Sequence, residues 1–501
     1  MFGGIMLSLT RASAAAAPLA LVGCLSNYTP IDRRDDRPER VEVTHSVGGS
    51  HWRTMVDGGV WYQGYGPTLL ALDPETGTKL DELRCLPLGS SGAVVDLVKY
   101  RGDLVAVLDR TAVARIDISN PKSLIVTELI AERELGLRPE SLSVIGDALY
   151  VSGLGGVVRL DTGEVFLAGS GVCGRVAPSA HGPVATRGRE IVLVATGESL
   201  GRASDLQPVA EGAGSSGDLL FVLQGKDAAR VGILDAELQE VVAVVVPGEV
   251  IRLRSFDERL FAVTPTGITS WKLGSAQLAD EKHIRVKGAL DIDRIGSNTY
   301  AVAGSFGRAL YRPATDVRGP GDEFFAAQRE PGRLERVLSD GRRIIAGSDE
   351  GNWMYMVGGS CDPTDKVIQN VNPPTTVQEF SFGRVAIEGA DADPFTVESS
   401  SRVVVTMGGK QQTVQMPQGA RARTIANVKD DIWIGHDDGI DVWRVTSGHL
   451  ARVARVRMQG PVTNIYPRRT NDGASYVSLF GGMGVAMWRH FDAVSPATAA
   501  P

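Results

Sequence analysis

An all-β fold of repeated four-stranded units is predicted by three features of this sequence. Apolar residues gather in runs of four to seven, rich in Val, Ile and Leu, and not at the spacing of a helix. Gly, Asp, Asn and Ser punctuate those runs, and the 59 glycines are an excess that suits many tight turns. From Val41 onward, starts of candidate second strands recur near Gly58, Asp103, Asp147, Asp218, Arg259, Asn298, Arg342, Asp431 and Ala474, with weaker ones near Pro183 and Arg384. The spacing, roughly 35 to 47 residues with about four strands per unit, is that of a β-propeller blade. Ten to eleven four-stranded units exceed the roughly four to eight blades of most propellers, so the body is expected to be one large ring or two propellers.

Residues 1–22 hold one basic residue, Arg11, and an apolar run from Ala14 to Val22 that is too short to span a bilayer as a helix. Leu21-Val22-Gly23-Cys24 ends this run. The tetrad resembles the lipobox of bacterial lipoproteins, with apolar positions, a small residue before the cut and a thiol that accepts lipid. The resemblance implies a signal peptide over 1–23 and a mature N-terminus at Cys24 carrying acyl chains such as palmitate, enough apolar area for stable membrane anchoring. A plain secretory peptide, or a start at Met6, would still export the chain. Leu25, standing where enteric lipoproteins kept at the inner membrane have Asp, points to the outer membrane of the bacterial cell envelope. Residues 24–40 are polar and charged and read as a flexible tether. Residues 41–491 form the repeat region, and 492–501 are expected to be a disordered tail.

Individual units then carry resemblances of their own. TLLALDPETGTKLDE, residues 68–82, resembles the pyrroloquinoline-quinone-type propeller repeat. Residues 103–126, with the core Ile116-Asp117-Ile118-Ser119-Asn120-Pro121, resemble the LVIVD repeat of surface proteins, and 430–445 are similar to the propeller repeat of two-component regulators. Such motifs mark blade geometry and carry no function. Asp73, Asp117, Asp161 and Asp235 each follow an apolar strand and are expected to accept backbone N–H groups in turns. At the end of the chain, 462–466, 475–479 and 484–490 supply only three strands. The alternating segment RVEVTHSV near the start has no unit of its own, so Val41 to Ser46 is expected to add the outer strand of the last blade, joining the termini.

Chemistry is sparse. The net charge of −7 comes from dispersed acids and bases with no basic stripe, which argues against a nucleic-acid partner. Beyond Cys24, the thiols Cys85, Cys173 and Cys361 show no metal or redox spacing and read as small buried hydrophobes. Seven histidines form no H-x-H or H-E-x-x-H pattern, and no nucleophile elbow, phosphate loop or dinucleotide fingerprint occurs, so neither a metal nor a cofactor is expected.

The densest polar cluster is His436, Asp437, Asp438 and Asp441, between Trp433 and Trp443. It could bind a cation or a sugar. The same residues also read as an Asp-Asp-Gly hairpin turn with tryptophans packed between blades, which is the favoured reading. The expectation is a lipid-anchored, non-catalytic platform for a protein or envelope polymer. The alternative is an exported lactonase, lyase or glycosidase with a metal or carboxylate site in the hub.

Overall fold

Short apolar runs separated by turn residues bury little as single strands, so they pair into antiparallel hairpins and the hairpins into sheets. The computed structural model describes the chain from Arg40 to Phe491, apart from stretches between strands of which 85–92, 313–322, 365–375 and 389–401 are the longest. The described residues form eleven four-stranded antiparallel sheets and one short helix, Glu132–Leu135. Second strands begin at Val60, Asp103, Ala148, Val184, Leu219, Arg259, Thr299, Arg343, Gly383, Asp431 and Gly473, each within about two residues of the position expected from the repeat. The chain is therefore a β-propeller-type repeat protein.

Ten sheets use four consecutive strands each, and the eleventh borrows one. The first seven sheets span 51–84, 94–131, 138–166, 173–201, 205–247, 252–284 and 289–329. A separate hydrophobic core fills each gap between them. Leu69 and Ala71 of the first sheet meet Leu104, Leu108 and Ile116 of the second. Val105 and Val107 meet Leu142 and Val158; Tyr150 and Val157 meet Cys173 and Val176. Val184 and Ile191 meet Leu206 and Phe221; Leu220 and Val231 meet Leu253 and Trp271; Phe261 and Val263 meet Ile292 and Tyr300. The circle closes where Trp61, Leu70 and Leu72 of the first sheet pack on Ala301 and Leu310 of the seventh. Each such buried aliphatic side chain contributes about 1.5–3 kcal/mol. The stability of the ring is thus shared among seven interfaces, and the expected choice between one large ring and two propellers resolves as a closed ring of seven with four sheets outside it.

In the ring the first strand of each sheet lies innermost, as inter-sheet packing runs chiefly through first and second strands. Close approach there demands glycine at Gly64, where a Cβ would stand 2.4 Å from the Val94 carbonyl oxygen of the next sheet. Gly435 repeats the device, with the Val462 carbonyl 2.7 Å from a Cβ.

The other sheets span 336–364, 377–415, 422–457 and 462–491. One core joins the ninth to the tenth through Val403, Val405, Ile425 and Ile434. Another joins the tenth to the eleventh through Trp433, Val442 and Val462, and it takes in Ala93, with Trp52 and Val95 against it. The tenth and eleventh sheets therefore rest on the entry to the ring. Arg40–Val47 pairs antiparallel with Gly484–Phe491 as the outer strand of the eleventh sheet, Val41 opposite His490 and Ser46 opposite Ala486. The expected union of the termini is present; it completes the last sheet, whereas the seven-sheet ring closes without a borrowed strand.

Three of the four turn aspartates behave as expected. Asp73 accepts the amides of Glu75 and Thr76, Asp117 that of Ser119, and Asp235 those of Glu237 and Gln239. Asp161 differs, since its carboxylate takes the fork of Arg159 at 2.8–3.2 Å. Cys173 is fully buried, as a small hydrophobe should be. Residues 1–39, with Cys24, and the tail 492–501 lie outside the described residues. Among the described residues no helix is long and apolar enough to cross a membrane.

Candidate functional site

Seven innermost strands converge on one axis, so residues far apart in sequence meet there. Arg53, Asp96, Arg175, Arg252, Arg254, Asp291 and Asp293 all sit on such strands. Asp96 receives Arg175 at 2.7 Å and stands 3.0 Å from Arg53 Nε, near enough to pair though not aligned as a hydrogen bond. Asp291 receives Arg53 at 3.1 Å and both Nε and Nη2 of Arg254 at 3.0 and 2.9 Å. Both aspartates are wholly buried.

These carboxylates also stitch the inner strands together. Asp96 accepts the Leu142 amide of the next sheet, and Ser143 Oγ accepts the Val176 amide of the one after. Asp291 accepts the Thr54 amide and Asp293 the Val56 amide, which ties the seventh sheet to the first. Inner-edge amides that a lone sheet would leave open are thereby satisfied.

Burial by itself would raise the acids of Asp96 and Asp291, but the surrounding guanidiniums outweigh it and hold both below the ordinary carboxylate range. Burial prevails at Asp293, whose acid is pushed up. Burial and the charge of Arg254 pull Arg53 down to about 10, and burial lowers Arg252 as well. Carboxylates fixed in this way are ill suited to proton transfer at neutral pH, and the arginines repel a metal cation.

The cluster expected from the sequence lies on the tenth sheet. His436, at the end of one hairpin strand, and Asp441, on the next, are 1% and 0% exposed, with Nε2 and Oδ1 3.7 Å apart. Arg455 clasps both oxygens of Asp441 at 2.7 and 2.8 Å. Burial works to raise the Asp441 acid; Arg455 and His436 override it and hold it at about 2. Asp437 pairs instead with Arg423 at 2.7 Å, and Asp438 lies outside the described residues. Trp433 is buried in the core toward the eleventh sheet, and Trp443 packs on the core toward the ninth. The structure therefore brings His436 and Asp441 together, turns Asp437 to another partner and gives the indoles to sheet packing.

A cleft of about 180 Å³ opens between the second and third sheets, lined in part by Tyr100, Arg101, Arg115, Glu128 and Asp161. The guanidiniums of Arg101 and Arg115 lie 4.9 and 5.6 Å from the Tyr100 ring centre. Its volume is small beside the roughly 300–1,000 Å³ of ordinary ligand pockets.

The axial cluster escaped the reading of the sequence. Its signal is a charged residue placed within the apolar first strand of a unit, as in VVDLV, GRVA, RLRSF and LDIDRI, and it emerges only once first strands are superposed in register.

No protein-family model matches the chain, and no curated protein matches it. Solved structures align with it at low identity. The WD40 domain of Pan2 from Neurospora crassa aligns with 52% of this chain and 88% of its own at 13% identity and a TM-score of 0.40. PorZ, a surface component of the type-IX secretion system of Porphyromonas gingivalis, aligns with 88% of this chain and 80% of its own at 12% identity and a TM-score of 0.39. The computationally designed protein Ika8 covers 79% of this chain at 13% identity and a TM-score of 0.27. Likeness at this level bears on neither activity nor partners.

Proposed function

We propose that this protein is a non-catalytic propeller platform, lipid-anchored through Cys24 at the bacterial cell envelope, that binds a protein or an envelope polymer. One observation carries the reading. The carboxylates Asp96, Asp291 and Asp293 on the axis, and Asp441 in the second cluster, are engaged by guanidiniums or backbone amides, so they serve as ties between strands. A hub of inward-facing Asp, Glu and His would have favoured an enzyme, and an apolar hub a platform. The hub is polar, but its carboxylates are engaged by arginines and backbone amides, and among the described residues no histidine joins them. Metal-assisted or paired-carboxylate hydrolysis therefore has no support from this geometry. Rim loops on a rigid ring provide the broad surface that a platform needs.

The test has two arms. Cys24→Ala should move the protein out of the membrane fraction or stall its processing, and unchanged fractionation with unchanged mature mass would remove the anchor from the proposal. Crosslinking and affinity purification of the full chain from envelope membranes should enrich a specific envelope component. Recovery of nothing beyond a mock purification would overturn the platform reading.

A further inference from the structure

The axial cluster contains four guanidiniums, Arg53, Arg175, Arg252 and Arg254, against three carboxylates, Asp96, Asp291 and Asp293. Asp96 and Asp291 are shared by Arg53, Arg175 and Arg254, while Asp293 spends its oxygens on the amides of Val56 and Arg294. Arg252 is left over. Among the described residues no carboxylate lies within ion-pair distance of it, and its Nε is enclosed without a hydrogen-bond partner. The rest of the side chain is only partly covered. Arg252 alternates with Arg254 on the strand Arg252–Phe256, so both project from the same face of the sheet. It also feels the charges of Arg175, Arg254, Asp96 and Asp291, which places it at the cluster.

We propose that Arg252, with Arg254 and Arg175 beside it, forms a binding site on the axis of the ring for a small oxyanion bearing a phosphate or carboxylate group. A partly covered guanidinium with an enclosed, unbonded Nε and no carboxylate at ion-pair distance is costly, and an anion that reaches it recovers that cost. Planar guanidinium forks match the paired oxygens of carboxylate and phosphate, whereas a spherical halide uses only part of the fork. The lowered proton affinity of Arg252 and Arg53, from burial and mutual repulsion, reflects the same excess of positive charge.

The experiment uses the full chain, titrated calorimetrically and melted in sodium phosphate, sodium succinate or sodium chloride at equal ionic strength. At least one oxyanion should bind saturably and raise the midpoint above that in chloride. The better of phosphate and succinate identifies the group preferred. Arg252→Met, which keeps the aliphatic stem and removes the fork, should weaken that binding at least about tenfold without lowering the melting point in chloride. Arg252→Lys, which keeps the charge but not the fork, should fall between the two. Arg230→Met, at an exposed arginine paired with Glu240 away from the axis, should change nothing. The site is overturned if neither oxyanion surpasses chloride, or if both Arg252 variants bind as the parent does.

Discussion

Asp441 shows how much a single side chain contributes once its partners are fixed. Its folded acid sits at about 2 against an ordinary 3.8, so between those values the unfolded chain binds the proton and the folded chain does not. Stability must then rise with pH across that window. The contribution, roughly 2 kcal/mol, is complete above about pH 4 and is lost as pH falls toward 2. Asp96 and Asp291 act in the same direction, having acids lowered by arginine. Asp293 acts in the other. Its raised acid keeps the proton longer in the folded state, so its stabilisation is present below 3.8 and lost as pH rises through the folded value. Denaturant unfolding from pH 2 to 7 should accordingly show a rising acid limb, made shallower by Asp441→Asn. An identical limb in the variant would refute the assignment.

At the scale of elements, the outer strand Arg40–Val47 is the one that chain order does not supply locally. It covers an edge of Gly484–Phe491 that would otherwise present open amides and carbonyls. Deleting residues 40–47 should speed amide hydrogen exchange within Gly484–Phe491 and promote self-association, while Arg252–Phe256 keeps its protection. Unaltered exchange in Gly484–Phe491 would mean that the pairing is not maintained in solution. Gly64 acts at the same scale through the lack of a side chain. A methyl group there would meet a backbone oxygen that cannot swing aside, so Gly64→Ala is expected to cost about 1–3 kcal/mol in unfolding free energy, measurable in urea.

For the whole molecule, the division into seven sheets and four has a direct consequence. The ring has its own seven cores and closes on itself through Trp61, Leu72 and Leu310 and through Arg53 and Asp291, with no strand borrowed from elsewhere. A fragment spanning 49–330 should fold alone and melt in one cooperative transition. Trp52→Ser in that fragment would restore polarity to a surface that the tenth and eleventh sheets cover in the full chain. Non-cooperative melting by circular dichroism, with or without that change, would show that the ring depends on the last four sheets.

The sequence by itself determined the repeat, because turn residues and short Val- and Leu-rich runs act locally. Second-strand starts from Asp103 to Gly473 could be located from such runs, and so could the outlying strand RVEVTHSV, since three strands at the end of the chain left an edge to cover. The bonds of Asp73, Asp117 and Asp235 were legible for the same reason, their partners being two to four residues away. Only the tertiary structure decided that seven sheets close a ring, for Trp61 meets Leu310 and Arg53 meets Asp291 across hundreds of residues of chain. It alone decided, too, that Asp437 and Asp441 part company for Arg423 and Arg455. The axial arginines became a site by the same route: a charge within an apolar strand has no stated partner until the ring brings the other strands to the axis, and there Arg252 is the one left without a carboxylate.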